Sequence, residues 1–184
     1  MEVIMIYLFL ADGFEEVEAI TPVDYIRRCG LEISTVGVTG KKVKGAHGIT
    51  IAADRTIDEF DPQSENDMII LPGGLDGTNN LRSNDKVIES IKNFNIKSSI
   101  AAICAAPSIL GELNLLNGKK ACCYPGFEYS LKGAQISFDA VVTDGNIITS
   151  RGAGTASQFS FAIIKYLLGK EKSDEILHQV QWVC

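Results

Sequence analysis

Cys104 directly follows the apolar run Ile100–Ile103 and is separated from Pro107 by only Ala105 and Ala106. A strand that ends on a cysteine and turns at once into a helix presents the thiol on an elbow. There, unpaired N–H groups and the positive end of the helix dipole favour thiolate over thiol. The residues alone leave a second reading open, because a cysteine beside an apolar run is also a common core residue. Gly73-Gly74 follows a second apolar run, Met68–Leu71, and Pro72. Such a pair lets backbone N–H groups approach a developing oxyanion, and it equally makes an ordinary tight turn.

A third cluster is acidic. Glu15 and Glu18 are three positions apart at the start of an expected helix and share a face, while Glu16 points elsewhere. Acidic residues in a first turn commonly just complement the helix dipole; the sharper reading aims one carboxylate at the cysteine. His47 and His178 lie far in sequence from the strand ends, and neither is well placed as the base of a Cys-His pair. Cys122 and Cys123 are neighbours in an expected strand, so their thiols face opposite ways and form no chelate.

These groups need a frame to hold them. The runs Val3–Leu10, Met68–Leu71 and Ser99–Ile103 are continuously apolar, as strands covered on both faces are. Leu31–Val38 adds a fourth strand after a helix over Glu15–Cys29 that Gly30 closes, which makes a β-α-β unit. Pro22 lies inside that helix and predicts a kink or break near Thr21. Val43–Ile51 reads as a small hairpin, and Asp85–Phe94 and Pro107–Leu116 read as helices. Short strands follow at Lys120–Tyr124, Asp139–Thr143 and Asn146–Ser150, with an Asp144-Gly145 turn between the last two. A helix over Thr155–Leu168 stops at Gly169, and Ser173–Val183 reads as one more. Alternating strands and helices, with no repeat or linker, predict one domain over residues 1–184: a doubly wound, three-layer α/β/α sandwich on a mostly parallel sheet. In such sheets ligands bind beyond the carboxyl ends of the strands. Cys104, Gly73-Gly74 and the acidic cluster all fall at such ends.

Composition narrows the partners. With 17 basic against 23 acidic residues, the net charge of −6 argues against nucleic acid or an anionic membrane. The five cysteines, Cys29, Cys104, Cys122, Cys123 and Cys184, show no CxxC spacing, which argues against a metal site and fits a reducing cytosol. The first apolar run has Glu2 where a signal peptide carries basic residues, and it is too short to span a bilayer, so a cytoplasmic protein is expected.

From its first strand through Gly169, the sequence resembles the ThiJ/PfpI family, most closely the branch that contains the Parkinson-disease protein deglycase. The resemblance rests on Ala11–Glu18, Pro22-Val23-Asp24 with Arg27-Arg28, Leu71–Gly74, Ala101–Pro107 and Thr149–Thr155. It implies a flavodoxin-like sandwich, usually dimeric, in which a protonated glutamate at Glu18 hydrogen-bonds the elbow cysteine. It also implies that the backbone at Gly74 and Ala105 lies beside the cysteine, and that Glu15, Glu16 and Arg28 lie at or near a dimer interface. The chain departs from relatives at two places. Ala105 stands where the protease-like branch has a histidine, which argues against peptidase activity, and Tyr124 stands where deglycase relatives carry one. Tyrosine is a poor general base near neutral pH, so proton shuttling falls on Glu18.

The expected activity is a cofactor-free glyoxalase or deglycase acting on methylglyoxal, glyoxal or their early adducts. Its nucleophile is Cys104, its proton shuttle Glu18, its oxyanion donors the Gly73-Gly74 and Ala105 backbone, and its possible third group Tyr124. The rival expectation is a redox sensor or chaperone that uses oxidation of the same thiol.

Overall fold

The computed structural model describes residues 4–61 and 67–183; Val3 and Cys184 lie outside them. In chain order the strands are β1 (Met5–Leu10), β2 (Glu32–Gly37), β3 (Lys42–Lys44), β4 (Thr50–Ala52), β5 (Arg55–Thr56), β6 (Met68–Leu71), β7 (Ser99–Ile103), β8 (Lys120–Ala121), β9 (Gln135–Ile136), β10 (Val141–Asp144) and β11 (Ile147–Ser150). The helices are α1 (Glu16–Arg28), α2 (Leu75–Arg82), α3 (Asp85–Lys97), α4 (Pro107–Glu112), α5 (Ala156–Leu168) and α6 (Lys170–Gln179). Seven strands form the main sheet in the order β10-β11-β7-β6-β1-β2-β5. Its pairings are parallel except for the β10–β11 edge hairpin.

The continuous apolar runs form central strands because each face meets its own helical layer. Along β1, Ile6, Leu8 and Leu10 pack with Val23 and Ile26 of α1 and Phe159 and Ile163 of α5. The alternate residues Tyr7 and Phe9 pack with Val87 and Ile91 of α3 and Ile109 of α4. β6 and β7 divide in the same way, Ile70 and Ile103 to one layer, Ile69 and Ile100 to the other. A period-2 strand between two dry layers therefore has no polar face to show. β1 is flanked by β2 on one side and β6 on the other, so the connections diverge there and open a crevice at the carboxyl ends.

Three elements differ from the sequence reading. α1 runs unbroken through Pro22, because burial of Ala19, Pro22, Val23 and Ile26 on one face outweighs the lost backbone bond. β8 ends at Ala121 instead of Tyr124: the Cys122 N–H turns to the Thr149 hydroxyl, 3.0 Å away, instead of a ladder carbonyl. The helix at Pro107 closes at Glu112, just before Asn114 takes a left-handed φ of 59°. α2 and the two-residue strands β5 and β9 were not foreseen.

Candidate active site

The loops after β1, β6 and β7 meet in the crevice. Cys104 follows β7 directly with a φ of 65°, a left-handed conformation that costs a non-glycine residue about 1–2 kcal/mol. Its surroundings hold it there. The Cys104 N–H donates to the Ser150 carbonyl (2.9 Å), the Tyr124 N–H donates to the Cys104 carbonyl (2.8 Å), and the Ala106 N–H closes the turn on Ile103 (3.1 Å). The thiol is partly exposed and meets the N–H groups of Gly74 and Ala105.

Glu18, in the first turn of α1, is fully buried. Its Oε2 accepts the Gly73 N–H at 2.8 Å, and its carboxyl shares a hydrogen bond with Cys104. Its Oε1 has no hydrogen-bond partner among the described residues. Gly73 lies between the two groups: a Cβ there would sit 2.5 Å from Cys104 Cβ and 2.6 Å from Glu18 Oε2. Gly74 adopts a φ of 84°, and a Cβ on it would meet the Gly13 carbonyl oxygen at 2.2 Å. Only glycine fits at both positions.

At the elbow, burial works against the thiolate and the backbone donors work for it. Burial, then the charge of Glu18 and the bond to it, push the Cys104 thiol up to about 12, and the Gly74 and Ala105 donors pull the other way without prevailing. Burial pushes Glu18 up to about 7; the Gly73 N–H and the Cys104 bond oppose this, and the charge of Glu15 adds to it. Two groups this close titrate as one unit. Both hold their protons more tightly than they would in water, and ionising one makes it harder to ionise the other, so the pair favours one negative charge and one shared proton.

Tyr124 reaches the same space. A Cβ on Gly152 would lie 3.3 Å from Tyr124 Cδ2 and 3.9 Å from Glu18 Oε1, so the half-exposed ring and the unpartnered oxygen border one volume. The ring meets Phe127 edge-on at 6.5 Å. Glu16 points away, as its helical phase predicts: Oε1 accepts the N–H groups of His47 (2.8 Å) and Ile49 (3.3 Å), and Oε2 meets His47 Nδ1 at 3.0 Å. Glu15 is also 3.5 Å from His47 Nδ1. Among the described residues, Glu15, Glu16 and His47 are the group whose potential metal-ligand atoms come together, and Glu16 already serves the hairpin backbone. Arg28 pairs with Asp24 at the far end of α1, remote from Cys104. His178 is exposed on α6.

The comparisons with known proteins identify the family and the fold. Residues 5–166 match the DJ-1/PfpI family. The chain belongs to the DJ-1/PfpI family. Protein DJ-1 homolog B of Arabidopsis thaliana is 37% identical over 91% of this chain, which spans only 39% of that longer protein. A protein of Pyrococcus abyssi named a deglycase is 32% identical, with 88% of this chain and 98% of that one covered. The structure of oxidized Toxoplasma gondii DJ-1 superposes with a TM-score of 0.93 at 28% identity, covering 98% of this chain and 100% of that one. The DJ-1/PfpI sandwich is thus the frame that brings Glu18, Gly73, Gly74, Cys104 and Ala105 together. Sequence reasoning gave no role to Ser150 or Gly152, although both lie in the Thr149–Thr155 motif, and it passed over Ser108, one turn beyond the elbow.

Proposed function

We propose that this DJ-1/PfpI protein is a cofactor-free glyoxalase or deglycase. The observation that carries the reading is Glu18: a fully buried carboxyl, bonded to Gly73 and Cys104 through one side, with its other oxygen unpartnered. A carboxyl raised to about 7 suits proton transfer in both directions near neutral pH. Cys104 thiolate adds to the aldehyde carbon of methylglyoxal, and the Gly74 and Ala105 N–H groups stabilise the oxyanion of the hemithioacetal. Glu18, which holds the proton of the pair while Cys104 attacks, gives it to that oxyanion; now ionised, it takes the proton from the same carbon to leave an enediol and returns it to the neighbouring carbon, giving a thioester of the 2-hydroxy acid. Water cleaves the thioester, releasing lactate and restoring the thiol. The Pyrococcus abyssi relative named a deglycase supports extension to glycated adducts. Lactate formation measured in wild type, Cys104→Ser and Glu18→Gln together tests the reading: both variants should lose it, and an active Cys104→Ser protein rules it out.

A second reading has support of its own in the oxidized Toxoplasma gondii relative. There the thiol acts as a redox sensor, oxidised by peroxide to a sulfinate that Glu18 and the Gly74 and Ala105 donors hold. Mass spectrometry after mild peroxide would show two oxygens added at Cys104 and none at Cys29. Uniform or absent oxidation counts against it.

A homodimer belongs to the same proposal. Val17 and Ile20 at the start of α1 and Ile49 on the hairpin that Glu16 anchors are exposed apolar residues beside Glu15, a face suited to a second copy. A monomeric mass by light scattering would remove this part.

A further inference from the structure

The two backbone donors that face Cys104 belong to different helices. Gly74 is the N-cap of α2, and Ala105 leads into α4. The pairing of β6 with β7 brings the two loops side by side, and the fine spacing of the donors beyond the strand ends depends also on how α2 is fixed against α4. Leu81 of α2 and Ile109 of α4 share one apolar core cluster, and a polar contact between the helices runs through Arg82, the last residue of α2. Its Nη2 donates to Ser108 Oγ at 2.7 Å, its Nη1 donates to Asn79 Oδ1 at 3.0 Å, and its Nε faces Glu112 Oε2 at 2.9 Å. Ser108 is fully buried and passes the contact on: its hydroxyl donates to the Ala105 carbonyl at 2.6 Å.

We propose that Arg82 is a positioning residue for Cys104, acting through Ser108 on the strained elbow and holding the two oxyanion donors in register. The proposal rests on the reading of Cys104 as the nucleophile. The chain of bonds is directional. The guanidinium donates a hydrogen bond to Ser108 Oγ, which leaves the hydroxyl hydrogen to be donated to the Ala105 carbonyl, and charge on the first donor strengthens the second bond. The Ala105 carbonyl also accepts the Ser108 N–H at 3.1 Å, so both lone pairs of that oxygen are directed and the peptide after Ala105 is locked. The elbow turn is then held on three sides: Ser150 on the Cys104 N–H, Tyr124 on the Cys104 carbonyl, and Arg82 with Ser108 on the Ala105 carbonyl. The first two are main-chain contacts of the sheet and of the segment after β8. Arg82 is the side chain that ties the second donor loop to the first. Glu112 balances its charge, so its influence on the thiol passes through position rather than through long-range field.

The test is the pH dependence of Cys104 alkylation by iodoacetamide, resolved by mass spectrometry, in wild type, Arg82→Met, Arg82→Lys and Ser108→Ala, with thermal unfolding of each. Arg82→Met and Ser108→Ala should slow alkylation at pH 7 by about three- to tenfold, with the apparent pKa raised by about half to one unit. Arg82→Lys keeps a donor for Ser108 and should recover much of the rate. Ser108→Ala leaves the Arg82–Glu112 pair intact and serves if Arg82→Met does not fold. Variants that melt at lower temperature yet keep the wild-type pH profile and rate would overturn the proposal alone. A wild-type Cys104 no more reactive than Cys29 would overturn it together with the reading on which it rests.

Discussion

Gly73 and Cys104 approach so closely that a single methyl group on Gly73 would overlap the cysteine Cβ at 2.5 Å and press on Cys104 Sγ at 3.1 Å. The same atom would strike Glu18 Oε2, so this glycine sets the spacing of the thiol and the carboxyl.

Gly73→Ala should therefore separate the pair. Overpacking of this kind destabilises a fold by about 1–3 kcal/mol, and the displaced Glu18 loses its bond to the Gly73 N–H. We expect a lower urea midpoint together with loss of lactate formation. A variant as active as wild type would show that the pair tolerates a wider spacing.

Stability should depend on Glu18 in a defined pH window. A carboxyl raised from 4.5 to about 7 by folding binds its proton more tightly in the native state than in the unfolded one. Its favourable contribution is fully present below about 4.5, declines as pH rises, and is lost above about 7. The linkage amounts to about 3 kcal/mol at most. Urea midpoints at pH 5 and pH 8 should differ more in wild type than in Glu18→Gln, where this titration is removed. Equal differences in the two proteins would show that Glu18 is not titrating there.

Tyr124 and Glu18 border the same space but carry unequal chemistry. The phenol is a weak base at neutral pH, so Tyr124→Phe should keep lactate formation within about tenfold of wild type, while Glu18→Gln should lose about a hundredfold or more. A collapse in Tyr124→Phe would make the hydroxyl a proton carrier.

The hairpin should loosen at high pH. Glu16, then the charges of Glu15 and Glu16, raise His47 above its ordinary 6.5. A raised histidine stabilises fully below its unfolded value and stops doing so as pH rises through its folded one. NMR hydrogen exchange, corrected for intrinsic rates, should show the His47 and Ile49 amides better protected at pH 6 than at pH 8. His47→Gln should abolish that difference.

Much of the frame was legible because β1, β6 and β7 are dry on both faces, and such runs are hard to read as anything else. α2 was not, since Leu75–Arg82 is mostly polar and contains Gly77; Leu81 is its apolar anchor, and the helix is held by its place between the Gly74 loop and α3. At the site, helical phase separated Glu18 from Glu16, but it could not show what Glu16 holds, because His47 lies 31 positions away. The elbow of Cys104 was visible in Ala105-Ala106-Pro107. Its titration was not, because it depends first on the burial of the thiol itself and then on the charge of Glu18 beside it, and distant segments supply both. Arg82 and Ser108 lie 26 positions apart with no spacing that links them.

The bond from the Tyr124 N–H to the Cys104 carbonyl has an evolutionary consequence. Every residue except proline has that N–H, so the tether survives almost any exchange at position 124. The side chain there is a replaceable fitting on a fixed mount. An exchange there changes what faces Glu18 while Cys104 stays where it is.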